Sequence, residues 1–283
     1  MKKSDSSCDP CGKCYNISNI SGPPGIWETG GKDVCGRDRK VMELKTTDLT
    51  KDYGKKRALD AFSYTFEPGI YGLLGPNGAG KSTLMGILTT GLKATSGKVT
   101  WDGEDIVSMG KNYRALIGFM PQQQRIYEDF TLMRFLYYVA SLKGKKKQEV
   151  EAEIEDIIKS VNLWDVRNDP IGTYSGGMKQ RTLLAQAMVG NPSILIMDEP
   201  TVGLDPKERV HFRELVSKVA KDKIVIIATH IVSDLEKLAS EIIFLNHGKI
   251  IESGKLGELY EKYGGTSEPS VESIYMSLGM ESK

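Results

Sequence analysis

The 283-residue chain has little of several things, and each shortage narrows what it can be. No apolar run approaches the roughly 20 residues that a membrane-spanning helix needs. Short stretches such as Ile224–Ala228 and Ile242–Leu245 are the strongest apolar runs it has. Any membrane role is therefore expected to come through another chain. Excess charge is also missing: 38 Lys and Arg stand against 37 Asp and Glu, a net charge of +1. Without a broad positive field, extensive nonspecific binding to nucleic acid or anionic membrane is disfavoured. The opening MKKSDSSCDPCGKC is charged but has no apolar core segment, so it does not read as a secretory signal, and a cytosolic location is expected. Neither an internal repeat nor a heptad insertion is visible.

Cysteine is absent after residue 35, and the four present, Cys8, Cys11, Cys14 and Cys35, share a stretch poor in any structural period. Between Ser21 and Gly36 the sequence SGPPGIWETGGKDVCG is rich in Gly, Pro and polar residues. Composition changes near Val41, so residues 1–40 read as an N-terminal extension and 41–283 as the working domain. Four thiolates are the right number for tetrahedral Zn²⁺ or an iron–sulfur cluster, and the two-residue gaps of CDPCGKC suit such sites. The second C-x-x-C pair of a zinc ribbon and the C-P ending of a cluster motif are both missing, and a reducing cytosol disfavours a disulfide. Two readings stay open: a small metal site, or a loosely ordered tail with free thiols.

With 40 % hydrophobic residues, the remainder can bury a substantial core. Short apolar runs alternate with amphipathic stretches, which predicts an α/β fold with a largely parallel central sheet. Predicted strands are Ile70–Leu74, Ile194–Met197, Ile224–Ala228 and Ile242–Leu245, and ligands should gather at their C-terminal ends. Between about residues 121 and 192 the strands give way to helical spacing, in Leu132, Phe135, Leu136 and Val139 and again in Val150, Ile154, Ile157, Ile158 and Val161. A helical subdomain inserted into the sheet domain is expected there. Its aromatics Phe135, Tyr137 and Tyr138 suit either core packing or a docking surface, and the basic run KGKKK (143–147) is expected to solvate a loop between helices.

The chemistry begins at GPNGAGKST, residues Gly75, Pro76, Asn77, Gly78, Ala79, Gly80, Lys81, Ser82 and Thr83. It fits G-x-x-x-x-G-K-[ST], follows the apolar IYGLL and opens a helix with Leu84, Ile87, Leu88 and Leu92 on one face. Glycines let successive N–H groups turn inward toward phosphate oxygens, and the helix start adds its positive end. Lys81 supplies a mobile cation for the β and γ phosphates, and the Ser82 hydroxyl suits Mg²⁺. Further on, ILIMDEP delivers Asp198 and Glu199 to a strand end, where the two carboxylates can divide the work. Asp198 suits the Mg²⁺ water shell, and Glu199 is free to orient and polarise the attacking water.

Together with YSGGMKQR (174–181), these segments resemble the ATP-binding subunits of ABC transporters, from about Val41 to the C-terminus. The resemblance implies a P-loop NTPase fold of ABC type, with a mainly parallel core sheet, an antiparallel β portion and the inserted helical subdomain. It also implies that Tyr174, Ser175, Gly176, Gly177 and Met178 face the γ-phosphate held by a second subunit in a head-to-tail dimer. Tyr174 and Met178 stand where the family usually has Leu and Gln; the backbone donors are unaffected. Residue by residue, it implies that Tyr53 stacks on adenine, that Gln122, followed by two more glutamines, senses Mg²⁺ and the attacking water, that Asp205 crosses the dimer interface and that His230 contacts the γ-phosphate.

Implied with these are ATP hydrolysis with Mg²⁺, a second ATPase subunit, a separate transmembrane permease, and a place on the cytoplasmic face of the membrane. The variants YSGGMKQR and GLDP and the ending SVESIYMSLG (270–279) resemble bacterial drug, antibiotic-peptide and lantibiotic exporters. A non-transport ABC ATPase acting on ribosomes or nucleic acid is the alternative, and the single motif set and near-zero charge argue against it.

Overall fold

The computed structural model describes residues 42–122, 126–263 and 270–280, and the backbone of four residues near the N-terminus. The chain divides into two units, Met1–Lys40 and Val41–Lys283. In the first, β1 (Ser7–Cys8) pairs antiparallel with β2 (Cys14–Tyr15), placing the backbones of Cys8 and Cys14 opposite each other. The cysteine side chains, and with them the expected metal site, lie outside the described residues.

The second unit holds two sheets. Four strands, β3 (Leu44–Tyr53), β4 (Lys56–Phe66), β6 (Ser96–Trp101) and β7 (Glu104–Asp105), form an antiparallel sheet in the order β4-β3-β6-β7. Six more, β5 (Gly69–Leu74), β8 (Ile117–Met120), β9 (Ile194–Asp198), β10 (Ile224–Ala228), β11 (Glu241–Asn246) and β12 (Lys249–Lys255), run in the order β12-β11-β5-β10-β9-β8. All pairs in it are parallel except β11 with β12.

The interior strand β10, and β9 as far as Met197, are apolar because both their faces are covered. Ile194, Ile196, Ile224 and Ile226 point into a core shared with the antiparallel sheet and α1 (Lys81–Leu88). Leu195, Met197, Val225 and Ile227 alternate with them into a second core shared with the helices. Burying each such side chain stabilises the fold by about 1.5–3 kcal/mol. A one-residue slip of either strand would exchange the two sets.

Between β8 and β9 the described residues contain no strand but a run of helices, α4 (Leu132–Leu142), α5 (Lys147–Ser160), a 3-10 turn at Ile171–Thr173 and α6 (Gly176–Met188). They pack through Leu132, Phe135, Leu136, Ile154, Ile158 and Leu184. The short α2 (Ile106–Met109) and α3 (Lys111–Ala115) precede β8, and α7 (Pro206–Val219), α8 (Val232–Leu238), α9 (Leu256–Tyr263) and α10 (Val271–Ser277) complete the unit.

Two local expectations need correction. Leu92 is not on the helix with Leu84: α1 ends at Leu88, where the Thr89 hydroxyl donates to Met85 O and Thr90 takes φ 61°, and Leu92 folds back with its N–H on Gly86 O. Lys143 does not simply solvate a loop; its Nζ donates to Val189 O at 2.6 Å and Ile117 O at 3.2 Å, and burial lowers its pKa. Of the aromatics left open, Phe135 is core, while Tyr138 is exposed and packs edge-on against Tyr127.

Candidate active site

The site grows from the end of β5. There the chain turns through Gly75 to Gly80 and enters α1 with no side-chain cap on its first turn. Glycine is required at two points. A Cβ on Gly75 would sit 2.2 Å from Leu245 O, and one on Gly80, whose φ is +114°, would sit 2.5 Å from Ala58 O. Both approaches are to backbone, which cannot yield as a flexible side chain can. The loop is also tied down, since Ala79 N–H donates to Pro76 O and Gly248 N–H donates to Ala79 O. Lys81, mostly buried, arches over it and donates from Nζ to Gly75 O and Pro76 O. Burial lowers its pKa, while Glu199 and Asp198 pull it back up.

Those two carboxylates stand at the end of β9, one strand removed from β5 across β10. Asp198 is half-buried; burial, together with the neighbouring Glu199 charge, raises its pKa, and Lys81 opposes the rise. A carboxylate so desolvated beside another is short of positive charge. Glu199 is 8 % exposed and sits at φ +49°, a left-handed conformation unusual for a side-chain-bearing residue. Its N–H continues the sheet with a bond to Ala228 O at 2.7 Å. Its Oε2 accepts from the Thr229 hydroxyl at 2.9 Å. Its Oε1 accepts from His230 N–H at 3.1 Å and lies 2.9 Å from His230 Nδ1. Strain and fixed donors together hold the carboxylate in one orientation.

One cleft of about 870 Å³ gathers Tyr53, the whole Gly75–Thr83 segment, Gln122, Asp198, Glu199 and His230. Tyr53, 47 % exposed at the end of β3, lines it with the Lys51 ammonium 5.1 Å from its ring centroid. Gln122 is exposed at the end of β8; the two glutamines after it lie outside the described residues. The cleft also has walls that the motifs did not announce. Thr229 supports Glu199, and Glu272, Tyr275 and Met276 of α10 form one side of the cleft. Glu272, Tyr275 and Met276 follow i, i+3, i+4 spacing, but nothing in the sequence says that this helix face turns toward a phosphate loop.

The second glycine segment is elsewhere. Ser175 caps α6, its Oγ accepting from Met178 N–H at 3.2 Å, and none of Tyr174, Ser175, Gly176, Gly177, Met178 or Asp205 lines the cleft. Tyr174 is buried, with its hydroxyl on Val166 O at 2.6 Å. Asp205 caps α7 by accepting from Glu208 N–H at 2.8 Å. Gly176 borders a separate groove with Val202, Gly203 and Leu204, which Gln122 also borders.

A loop that excludes a Cβ at Gly75 and Gly80, an uncapped helix start, a buried ammonium and a desolvated aspartate make a set that fits a nucleoside triphosphate with its divalent ion. Fold and site together define a P-loop ATPase. The sequence profile described as "ABC transporter" matches residues 59–202. A Nod factor export ATP-binding protein I of Rhizobium etli is 34 % identical over 227 residues, 80 % of this chain and 72 % of that one. A linearmycin resistance ATP-binding protein LnrL of Bacillus subtilis is 33 % identical over 224 residues, 78 % of this chain and 72 % of that protein.

An ABC transporter A family member 1 of Dictyostelium discoideum is 36 % identical over 240 residues; the match takes in 83 % of this chain but only 27 % of that protein, about a quarter of its length. Among solved structures, one described as an ATP binding subunit of an ABC transporter superposes with a TM-score of 0.74 over 83 % of this chain and 99 % of that one, at 24 % identity, a likeness of fold. The chain belongs to the ABC transporter family, in the part of it that binds ATP. Membership carries ATP as substrate and Mg²⁺ as its companion ion.

Proposed function

We propose that the chain is the ATP-hydrolysing subunit of an exporter, that it closes head-to-tail with a second ATPase subunit around two ATP molecules, and that it drives a separate permease. The N–H groups of Gly78, Gly80 and Lys81 and the Lys81 ammonium hold the β and γ phosphates, and Tyr53 offers its ring to the purine. Ser82, Asp198 and Gln122 would hold Mg²⁺. When bound, the ion neutralises charge between the β and γ phosphates. Glu199 accepts the proton of the attacking water, and His230, bonded to Glu199, turns its exposed ring toward the γ-phosphate. The side chain of His230 is 65 % exposed, so its free ring edge is available to the substrate.

The observation that carries this reading is the separation of the two phosphate-facing elements. Lys81 and Glu199 share one cleft, and the start of α6 borders another groove, through Gly176, that holds neither Asp198 nor Glu199. A hydrolytic cleft and a donor-bearing edge on one chain complete each other when two chains pair head-to-tail. Export is supported by relatives named for Nod factor export and linearmycin resistance, so a drug, antibiotic or peptide is the proposed cargo. No helix among the described residues is long and apolar enough to cross a membrane, which supports attachment to the cytoplasmic face through the permease.

Residues 1–40 hold none of the residues assigned to ATP, and their removal is expected to leave turnover intact. The test is purification from native membranes in mild detergent. Recovery with a hydrophobic permease whose loss sensitises cells to a drug or peptide supports the reading. Recovery solely with ribosomes or DNA overturns it in favour of a non-transport ATPase.

A further inference from the structure

Behind Glu199 lies a buried acid with no part in the chemistry above. Asp234, in the first turn of α8, is 4 % exposed. Its Oδ2 accepts from the Thr201 hydroxyl at 2.6 Å, and its Oδ1 accepts from Arg213 Nη1. Thr201 is itself 3 % exposed and stands two residues after Glu199; Arg213 lies on α7, on the far side of the turn 202–205. One carboxylate on α8 therefore ties the residue just before the turn that carries Asp205 to the middle of the helix that follows it. That turn is closed further by Leu204 N–H on Thr201 O and by Arg209 Nε on Leu204 O.

The opposite linkage runs alongside. Glu199, at the start of the same segment, receives Thr229 and His230 from the stretch leading into α8. Residues 199–201 and 229–234 are thus cross-bonded in both directions, each segment giving one carboxylate and receiving the other. A buried charged pair is weak evidence for stability, because apolar residues of similar volume often serve as well or better. Its use here is geometric: fully satisfied, it admits one arrangement of the two segments.

We propose that Asp234 is a positioning residue for ATP turnover, fixing the turn 202–205 against the start of α8 so that Glu199 and Asp205 keep one relation to each other. Thr201, just before that turn, and Arg213, on the helix after it, are its two contacts. The part played by Asp205 rests on the head-to-tail reading, whereas the link from Asp234 to Glu199 does not. The consequence is a split: turnover depends on the network, and binding of nucleotide to the Lys81 side of the cleft does not.

The experiment uses the full chain with Thr201→Val, Asp234→Asn, the double variant and the conservative Thr201→Ser. It reads kcat for ATP and, separately, the equilibrium Kd of a fluorescent ATP analogue. Each single variant is expected to lose roughly tenfold in kcat with Kd within about twofold, and the double variant to lose no more than the worse single one, because the contacts act as a unit. Thr201→Ser restores turnover. Wild-type kcat in a folded variant, Kd weakening in step with kcat, or losses that add in the double variant each overturn the proposal.

Should Asp234→Asn fail to fold because Arg213 is left unpaired, the comparison of Thr201→Val with Thr201→Ser decides alone. Dimer formation by a Glu199→Gln chain is measured in parallel. Its absence counts against the head-to-tail reading, and the kcat against Kd split still decides the role of Asp234.

Discussion

Among the helices that begin next to glycine, α1 and α6 begin differently. α1 starts from Gly80 with no side chain on its first-turn amides, and those amides face a cleft that also holds Lys81, Asp198 and Glu199. α6 starts from Ser175, whose hydroxyl already takes the Met178 amide, and its groove includes neither Asp198 nor Glu199. A bare start leaves all its first-turn amides open to an acceptor from outside, while a capped one has given one of them to its own chain. The difference separates a helix start that shares its cleft with a lysine and two carboxylates from one that shares its groove with neither carboxylate and, on the proposed function, completes a neighbour's site.

The strongest way to break that comparison is at Glu199. Glu199→Gln keeps the size of the side chain and the cradle untouched, so nucleotide binding should persist while turnover falls by about 10²- to 10⁴-fold, the worth of a positioned general base. Phosphate release under saturating Mg-ATP checks it, and near-normal release would move the base elsewhere. Lys81→Ala comes next. Removing a charge-assisted donor costs about 1.5–3 kcal/mol, or roughly 10- to 100-fold in nucleotide affinity, read by equilibrium titration. Ser175→Arg should leave that affinity unchanged and still abolish turnover. Mixed with Lys81→Ala, it should regain activity, because one of the two sites in the mixed dimer then carries neither lesion. Strictly absent rescue in demonstrated mixed dimers would place Ser175 back in its own chain's chemistry.

Smaller effects sharpen the same contrast. Ser175→Ala removes a cap and should cost about 1 kcal/mol of stability by thermal melting, a penalty with no counterpart at the uncapped α1. Asp198→Asn should act in the other direction. The pKa of Asp198 is raised in the folded chain, so the folded state holds that proton more tightly than the unfolded state. Its contribution is therefore full below the ordinary aspartate pKa and is lost as pH rises through the higher folded value. Without nucleotide at neutral pH, Asp198→Asn is expected to melt higher by up to about 3 °C, the shift that ~1 kcal/mol gives in a domain of this size, and to flatten the pH dependence just above the usual aspartate range.

How much of this was legible in the sequence depends on what each residue is for. β5, β9, β10 and β11 announce themselves because covered faces demand apolar residues in succession. β3 does not: in LKTTDLTKDY the buried positions include Thr46 and Thr50, and Asp48 at φ 49° interrupts the alternation with a shift of register. The loop at Gly75–Thr83 and the pair Asp198 and Glu199 were readable because phosphate chemistry dictates residue types at fixed spacing. Thr229, Thr201 and Asp234 were not, since a threonine at a strand end and an aspartate in a helix's first turn are ordinary in sequence. Only the crossing of β9 and β10 into neighbouring loops brings them within hydrogen-bond distance. Lys143 was misjudged for the same reason, as its carbonyl partners lie 26 and 46 residues away.

The wall that α10 gives to the cleft has a use outside turnover. Glu272, Tyr275 and Met276 lie beyond residues 59–202, the stretch that defines family membership, yet they border the same space as the phosphate loop. α10 is seated by buried Val271 and Ile274, and its first N–H donates to Glu236 at 3.0 Å, so the wall is anchored to the domain. An ATP analogue extended toward that wall would meet a carboxylate, a phenol and a thioether instead of backbone amides. Selectivity for such an analogue would come from α10, and an inhibitor built on it would distinguish this ATPase from others that share only its motifs.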